Sequence, residues 1–270
     1  LTAYPSAQLH EAEQDLLSVL RQLKALGYNG VEFAGFYGHS AQDVRAMLGE
    51  CGLRAVSSHV ALKLIEADMQ GVIDYHKAIG CDYIAVPYLS AEQRPGTPAF
   101  AGVLRTIYQF GCLCRDNGIQ LLYHNHDFEF VSFSGMYALD FLYAAMPEDV
   151  LKTEIDVCWV KYAGEDPAAY LRRYAGRAPV VHLKDFVGRK EGDAAPYGLL
   201  GQSETKAAGE VPFEFRPVGY GCQDVSAVAE AGLDAGARWF VVEQDASVGR
   251  TPLEAAAMSI DMLRRIGLKG

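Results

Sequence analysis

No apolar run in the 270-residue sequence approaches the roughly 18–20 residues of a membrane span. No CxxC pair occurs among Cys51, Cys81, Cys112, Cys114, Cys158 and Cys222, which removes zinc-ribbon and thioredoxin-like readings. Six cysteines in so long a chain are no disulfide scaffold; they read as reduced, mostly buried thiols of a cytoplasmic protein. The opening Leu1-Thr2-Ala3-Tyr4-Pro5 carries no basic-then-apolar leader pattern. A basic block is also missing. With 24 Lys+Arg against 34 Asp+Glu and a net charge of −10, nucleic acid and anionic membrane are poor partners. No GxGxxG follows the first apolar run, where Tyr4-Pro5-Ser6 stands, so an open dinucleotide-binding sheet is disfavoured. Internal repeats, low-complexity tracts and a domain linker are absent as well.

What is present is an alternation. Half the residues are hydrophobic and 21% are charged, the balance of a core-forming protein. β-rich runs recur at a stub over residues 1–4 and at 30–34, 54–60, 82–88, 119–126, 151–157, 179–186 and 239–245. Helix-period stretches follow at 9–26, 41–51, 65–79, 99–117, 136–146, 167–174, 225–235 and 252–266. Gly27, Gly52, Gly80 and Gly118 stop four of them. Eight strand–helix units with no adjacent strands require a parallel sheet, because parallel strands need crossovers. That count in about 250 residues predicts an α/β (β/α)8 TIM barrel, one domain over 1–270. The connection over 187–222 is abnormally long and holds seven glycines between Gly188 and Gly221, which predicts a lid-like loop after the seventh strand.

Barrel active sites form at the C-terminal ends of strands. Here those ends carry ionisable residues two apart, hence on one face. The fifth strand ends in His124 and His126, the sixth in Glu154 and Asp156, the seventh in His182 and Lys184, the eighth in Glu243 and Asp245; Glu32 and His59 end earlier strands. Taken singly, Asp185 and Asp245 read as caps of the following helices. Charges inside an apolar barrel cost several kcal/mol each unless paired or metal-bound, so four such strands point to one shared site. Imidazole and carboxylate without thiolate suit Mn, Zn, Co or Fe.

The stretches Gly27-Tyr28-Asn29-Gly30-Val31-Glu32-Phe33-Ala34-Gly35, Tyr123-His124-Asn125-His126-Asp127-Phe128-Glu129-Phe130, His182-Leu183-Lys184-Asp185 and Val242-Glu243-Gln244-Asp245 resemble the xylose-isomerase-like TIM-barrel superfamily, in particular its sugar isomerases and epimerases. The resemblance runs over nearly the whole chain. It implies one divalent metal, manganese first, with Asp156, His182 and Glu243 as ligands and His124 where relatives carry Glu. That departure leaves one of the two opposed carboxylates used in two-base epimerisation. The His-rich motif also resembles inosose dehydratases, and related barrels eliminate from 3-keto-glycosides. The endonuclease branch needs a His where Trp159 stands, which argues against it.

The implied chemistry is proton abstraction next to the carbonyl of a sugar or keto-sugar. His126 is the first candidate base, because a neutral imidazole works near pH 7, with Glu243 and Glu154 as the others. Lys184 would place positive charge beside a developing oxyanion or a leaving hydroxyl; the plain alternative is a salt bridge to Glu154 or Asp185. Glu32, His59 and Arg216 are candidates to hold distal hydroxyls, and Trp159 with Phe36 an apolar wall. Absence of a phosphate-binding loop favours an unphosphorylated substrate. A lyase and a non-catalytic sugar-binding barrel or subunit are the alternative readings, and a homo-oligomer remains open.

Overall fold

The computed structural model describes residues 2–3, 9–188 and 213–268. Its sheet consists of β1 Thr2–Ala3, β2 Gly30–Phe33, β3 Arg54–Ser58, β4 Tyr83–Val86, β5 Gln120–His124, β6 Lys152–Asp156, β7 Val180–Leu183 and β8 Trp239–Val242. They lie side by side in the order β3-β2-β1-β8-β7-β6-β5-β4, every pair parallel. A bridge between His59 and Ala85, with the Val60 N–H donating to the Ala85 carbonyl at 2.9 Å, joins the two ends and closes the ring. The expected (β/α)8 barrel is therefore present, and each expected strand appears, mostly trimmed at its C-terminal end.

The helices are α1 Leu9–Leu26, α2 Ala41–Cys51, α3 Leu62–Ala67, α4 Met69–Ile79, α5 Phe100–Asp116, α6 Ala138–Ala144, α7 Val157–Tyr162, α8 Pro167–Arg173, α9 Val225–Asp234 and α10 Pro252–Arg265. Local chemistry sets several boundaries. Thr251 and Glu254 form a reciprocal capping box with Pro252 in the first turn of α10. Asp166 caps α8 ahead of Pro167, and Gly52 ends α2 in the left-handed region.

Three expectations need correction. The helix expected over 65–79 is broken at Asp68, whose extended backbone ends α3 and whose carboxylate accepts from Gly71 N–H at the start of α4. Met136 and Tyr137, expected to be helical, pair as a short strand with Ser132–Phe133, and α6 begins only at Ala138. Adjacent antiparallel strands also follow β7, where Asp185–Val187 pairs with Glu214–Arg216. The lid-like loop expected over 187–222 lies outside the described residues from 189 to 212. Its two ends are fixed by that hairpin.

Leucines at 16, 20 and 23 of α1, Val44 and Leu48 of α2, and Val103, Ile107 and Phe110 of α5 pack against the outside of the strands in one continuous core. Inside the ring, Val56, Tyr83, Ala85, Leu122, Val180 and Val241 form an apolar plug. Three of the six cysteines are buried, two are half-buried and Cys222 is exposed, so the thiols are less buried than expected. Among the described residues no helix is long and apolar enough to cross a membrane.

Candidate metal centre at the barrel mouth

Parallel register sets the strand ends at one level: Asp156 of β6 lies opposite His182 of β7, and Glu243 follows β8 with its N–H on the Leu183 carbonyl. His124 is the last residue of β5. The side chains of His124, Asp156, His182 and Glu243 are all buried, and one ligand atom from each falls within 4.8 Å of the others. His182 Nδ1 is 2.9 Å from Glu243 Oε2, and His124 Nε2 is 3.7 Å from Asp156 Oδ2. Bonds of about 2.0–2.2 Å to nitrogen and carboxylate oxygen fit such spacings. These are the four residues for which the resemblance implied a ligand role, and the fold brings them together.

Asp156 carries two separate tasks. Its Oδ1 accepts from the N–H groups of Cys158 and Trp159 at 2.7 and 3.1 Å and so caps α7. Its Oδ2 is buried and accepts no hydrogen bond among the described residues, although it points among two imidazoles and an ammonium. A buried carboxylate oxygen left this way is costly, and a divalent ion would compensate it. The donor set therefore fits a divalent metal.

Beneath this set, Glu154 of β6, Glu32 of β2 and His59 beyond β3 form an inner layer against the far sides of the His124 and His182 rings. Glu154 Oε2 is 2.8 Å from His59 Nε2, 3.4 Å from His124 Nδ1 and 3.5 Å from His182 Nε2. Glu32 Oε1 is 2.8 Å from His182 Nε2 and 3.1 Å from His59 Nε2. The His59 and His182 rings stack at 5.3 Å. Glu32 and His59 thus face this inner cluster, rather than an opening where distal hydroxyls would sit; Glu32 and Glu154 are wholly buried.

Lys184 forms neither of the salt bridges expected for it. Its Nζ lies 2.7 Å from Asp245 Oδ2, 3.1 Å from Glu243 Oε2 and 3.9 Å from Asp156 Oδ2. Asp245 is therefore an ion-pair partner and not a helix cap. Asp185 is no helix cap either. Its carboxylate accepts from the N–H groups of Phe186, Gly219, Gly221 and Gln223 and ties down the return of the long connection. Gly221 is required there, since a Cβ would stand 2.2 Å from Asp185 Oδ1 and 2.4 Å from the Phe186 carbonyl. Arg216, on the return strand, pairs with Glu214. Phe36 packs on Tyr75 and Phe33.

The fields in this site are strong. Burial opposes the charge on Lys184, but Asp245, Glu243 and Asp156 hold its pKa above the usual value. Burial likewise opposes ionisation of Glu243, yet Lys184 and His182 keep it well below the carboxylate range. Burial raises Asp156 to about 7 and Asp245 to about 6, each against the pull of Lys184. Burial lowers His124 to about 3. Burial, then His124 and Lys184, hold His126 far below its ordinary value, so it stays neutral and is a weak base.

His126 lies just beyond the strand, its ring stacked on Phe128 at 5.6 Å and tilted against Trp159 at 5.2 Å. Trp159 is fully buried, with Lys184 Nζ 5.4 Å from its ring centre and Phe213 stacked at 6.1 Å. Two further residues hold this loop in place. Glu129 accepts from Tyr123 O–H at 2.7 Å and His126 N–H at 2.9 Å, and burial raises it to about 8. The Asn125 side chain bonds the Asp156 backbone, accepting from its N–H at 3.0 Å. Both stand inside the His-Asn-His-Asp-Phe-Glu motif, but Asn125 falls on the opposite strand parity from His124 and Glu129 lies in a turn beyond β5, so pattern alone assigns them nothing.

A sequence model of xylose isomerase-like TIM barrels matches residues 20–266. No curated protein matches the sequence significantly. A sugar phosphate isomerase/epimerase from Parabacteroides distasonis superposes with a TM-score of 0.77 at 20% identity, over 98% of this chain and 93% of that one. The IOLI protein with a bound zinc atom gives 0.73 at 14% identity, over 98% and 97%. A probable 3-DHS dehydratase, AsbF of Bacillus anthracis, gives 0.69 at 12%, over 97% and 98%. At these identities the likeness is one of fold.

Proposed function

The chain belongs to the xylose isomerase-like TIM-barrel family, and from that premise we propose that it is a divalent-metal-dependent isomerase or epimerase acting next to the carbonyl of a sugar or keto-sugar. The observation that carries the reading is the meeting of His124, Asp156, His182 and Glu243 at one point beside the ammonium of Lys184. These four side chains hold the ion, manganese first, with zinc, cobalt or iron as alternatives. A bound ion supplies Lewis-acid polarisation of the substrate oxygens. The similar structures support a range of outcomes, since they include a sugar phosphate isomerase/epimerase and a probable dehydratase.

Glu243, deprotonated, is the base that takes the proton from the carbon beside the carbonyl; in an isomerase it returns that proton to the neighbouring carbon while the hydroxyl proton passes from one substrate oxygen to the other. Its basicity rises when Lys184 turns toward a substrate oxygen. Lys184, protonated, brings positive charge and a hydrogen bond to the developing oxyanion. His126, which burial keeps neutral, hydrogen-bonds a substrate hydroxyl. Phe213, half-buried and stacked on the buried Trp159, offers an apolar face to the C–H side of a sugar. The chain functions in the cytoplasm with a small-molecule substrate.

One observation favours a second reading. The Lys184 ammonium, held in place by Asp245 at 2.7 Å, puts a fixed positive charge where a leaving hydroxyl would develop negative charge, which favours a dehydratase or eliminase. The deciding experiment incubates manganese-loaded protein with unphosphorylated sugars and keto-sugars in heavy water. Deuterium entering one carbon without loss of atoms supports isomerisation or epimerisation. An enone absorbance or a released group establishes the lyase. Thermal stabilisation by a sugar with no exchange and no product refutes both in favour of a binding barrel.

A further inference from the structure

The inner layer beneath the ligand set has two competing uses. His59, His124, Glu154 and His182 also bring one ligand atom each within 4.8 Å of one another, so an ion of their own is geometrically conceivable. His124 and His182 belong to both groups, and each presents opposite ring nitrogens to them. Toward the outer set go His124 Nε2, 3.7 Å from Asp156, and His182 Nδ1, 2.9 Å from Glu243. Toward the inner layer go His124 Nδ1, 3.4 Å from Glu154, and His182 Nε2, 2.8 Å from Glu32. A neutral imidazole has one lone pair and one N–H. With an ion in the outer set, an inner ion would require both rings to lose their last proton and bridge as imidazolates. Retaining that proton instead gives each ring a carboxylate to donate to.

We infer that Glu32 and Glu154 are positioning residues. With an ion bound they would accept the inner N–H groups of His182 and His124, which now stand at ion-pair distance rather than in line for hydrogen bonds, and would thereby fix the tautomer that turns the lone pairs of His182 Nδ1 and His124 Nε2 toward the ion. His59, 3.1 Å from Glu32 and 2.8 Å from Glu154, links the two carboxylates and holds their spacing. The inner layer holds protons, and the chain binds one ion rather than two. This rests on the proposed metal centre.

A purely structural role fits poorly. Glu32 and Glu154 are wholly buried above the apolar plug of the barrel, where apolar side chains of similar size would be cheaper. Carboxylates behind metal-bound histidines orient the ring and raise its basicity, and losing one weakens metal binding about 10–100-fold.

The test compares wild type, Glu32→Gln and His59→Asn by ions bound per chain, Mn²⁺ affinity, melting temperature in chelator, and the ring ¹⁵N shifts of the histidines with Zn²⁺ bound. Expected are one ion per chain in wild type and about 10–100-fold weaker Mn²⁺ binding in Glu32→Gln. That variant should melt no lower than wild type in chelator, and its His182 ¹⁵N shifts should move. His59→Asn should weaken binding less. Two ions in wild type, one of them lost in either variant, would make the inner layer a second metal site and overturn the inference. Unchanged affinity and unchanged His182 shifts in a folded Glu32→Gln would also overturn it; Glu154→Gln serves if that variant does not fold. A wild type that binds no ion at all overturns the metal centre itself, a result distinct from the other two.

Discussion

Asp156→Asn separates metal binding from folding, because the two carboxylate oxygens have different work. Oδ1 accepts two N–H groups at the start of α7, and only an oxygen can do that. The amide must therefore keep its oxygen there and turn its NH₂ to the position of Oδ2, among the other ligands. Rotating it would leave two buried N–H groups facing NH₂, at a cost of about 1–3 kcal/mol each. The variant thus loses one of four ligands while its helix cap is retained. Since a change behind a ligand already costs about 10–100-fold in affinity, loss of the ligand itself should cost about 100-fold or more. Stability should move the other way. The carboxyl titrates at about 7 in the folded protein against 3.8 ordinarily, so the folded state binds its proton more tightly. That penalty is absent below about pH 4 and fully present above about pH 7; three units at 1.36 kcal/mol amount to about 4 kcal/mol. In chelator at pH 8, Asp156→Asn should melt several degrees above wild type, and the difference should shrink toward pH 4. Wild-type Mn²⁺ affinity in the variant would refute the ligand assignment. A melting temperature well below wild type in chelator would show that the carboxylate is chiefly structural.

Lys184→Met removes the cation beside Glu243 and Asp245; turnover should fall about 10²–10⁴-fold with the bound ion retained, and near-normal kcat would remove Lys184 from the chemistry. Mn²⁺ affinity should rise with pH through neutrality, because Glu32 and Glu154 raise the pKa of His182 against burial and the ion must displace its proton. Competition titrations at pH 6, 7 and 8 check this, and a flat profile would refute it. Asp185→Ala strands four backbone N–H groups at the return of the long connection; partial replacement by water leaves a loss of about 2–4 kcal/mol, read by urea unfolding, and no loss would mean the hairpin holds without it.

The barrel was readable because eight β-rich runs alternate with helix-period runs, and parallel pairing follows from crossovers alone. The ionisable face was readable for a similar reason: alternate strand residues share a side, so Asp156, His182 and Glu243 stand out against apolar neighbours. Lys184 shows where that reading fails. Its candidate partners near in sequence or on the adjoining strand were Asp185 and Glu154, whereas its actual partners, Glu243 and Asp245, lie beyond the long connection, just past the end of β8. His126 is a different case: its place just past β5 is legible in the sequence, but its packing against Phe128 and Trp159, which keeps the ring neutral, is not written in the local pattern. Asn125 acts through the backbone of Asp156 on the next strand, and Glu129 through the Tyr123 hydroxyl and the His126 N–H, contacts that strand periodicity does not reveal.

By itself, the sequence determined the number and order of the strand–helix units and which side chains their C-terminal ends present. Both are properties of local periodicity. Only the tertiary structure decided which ends meet and at what depth. A two-residue step along β6 puts Asp156 in the outer set and Glu154 in the inner layer, and closure of the ring between β3 and β4 brings His59 across to meet it. The same closure gives His124 and His182 two faces each, one toward an ion and one toward buried carboxylates. Such a division depends on contacts of 2.8 to 3.7 Å between residues far apart in the chain, such as Glu32 and His182, which no local pattern encodes.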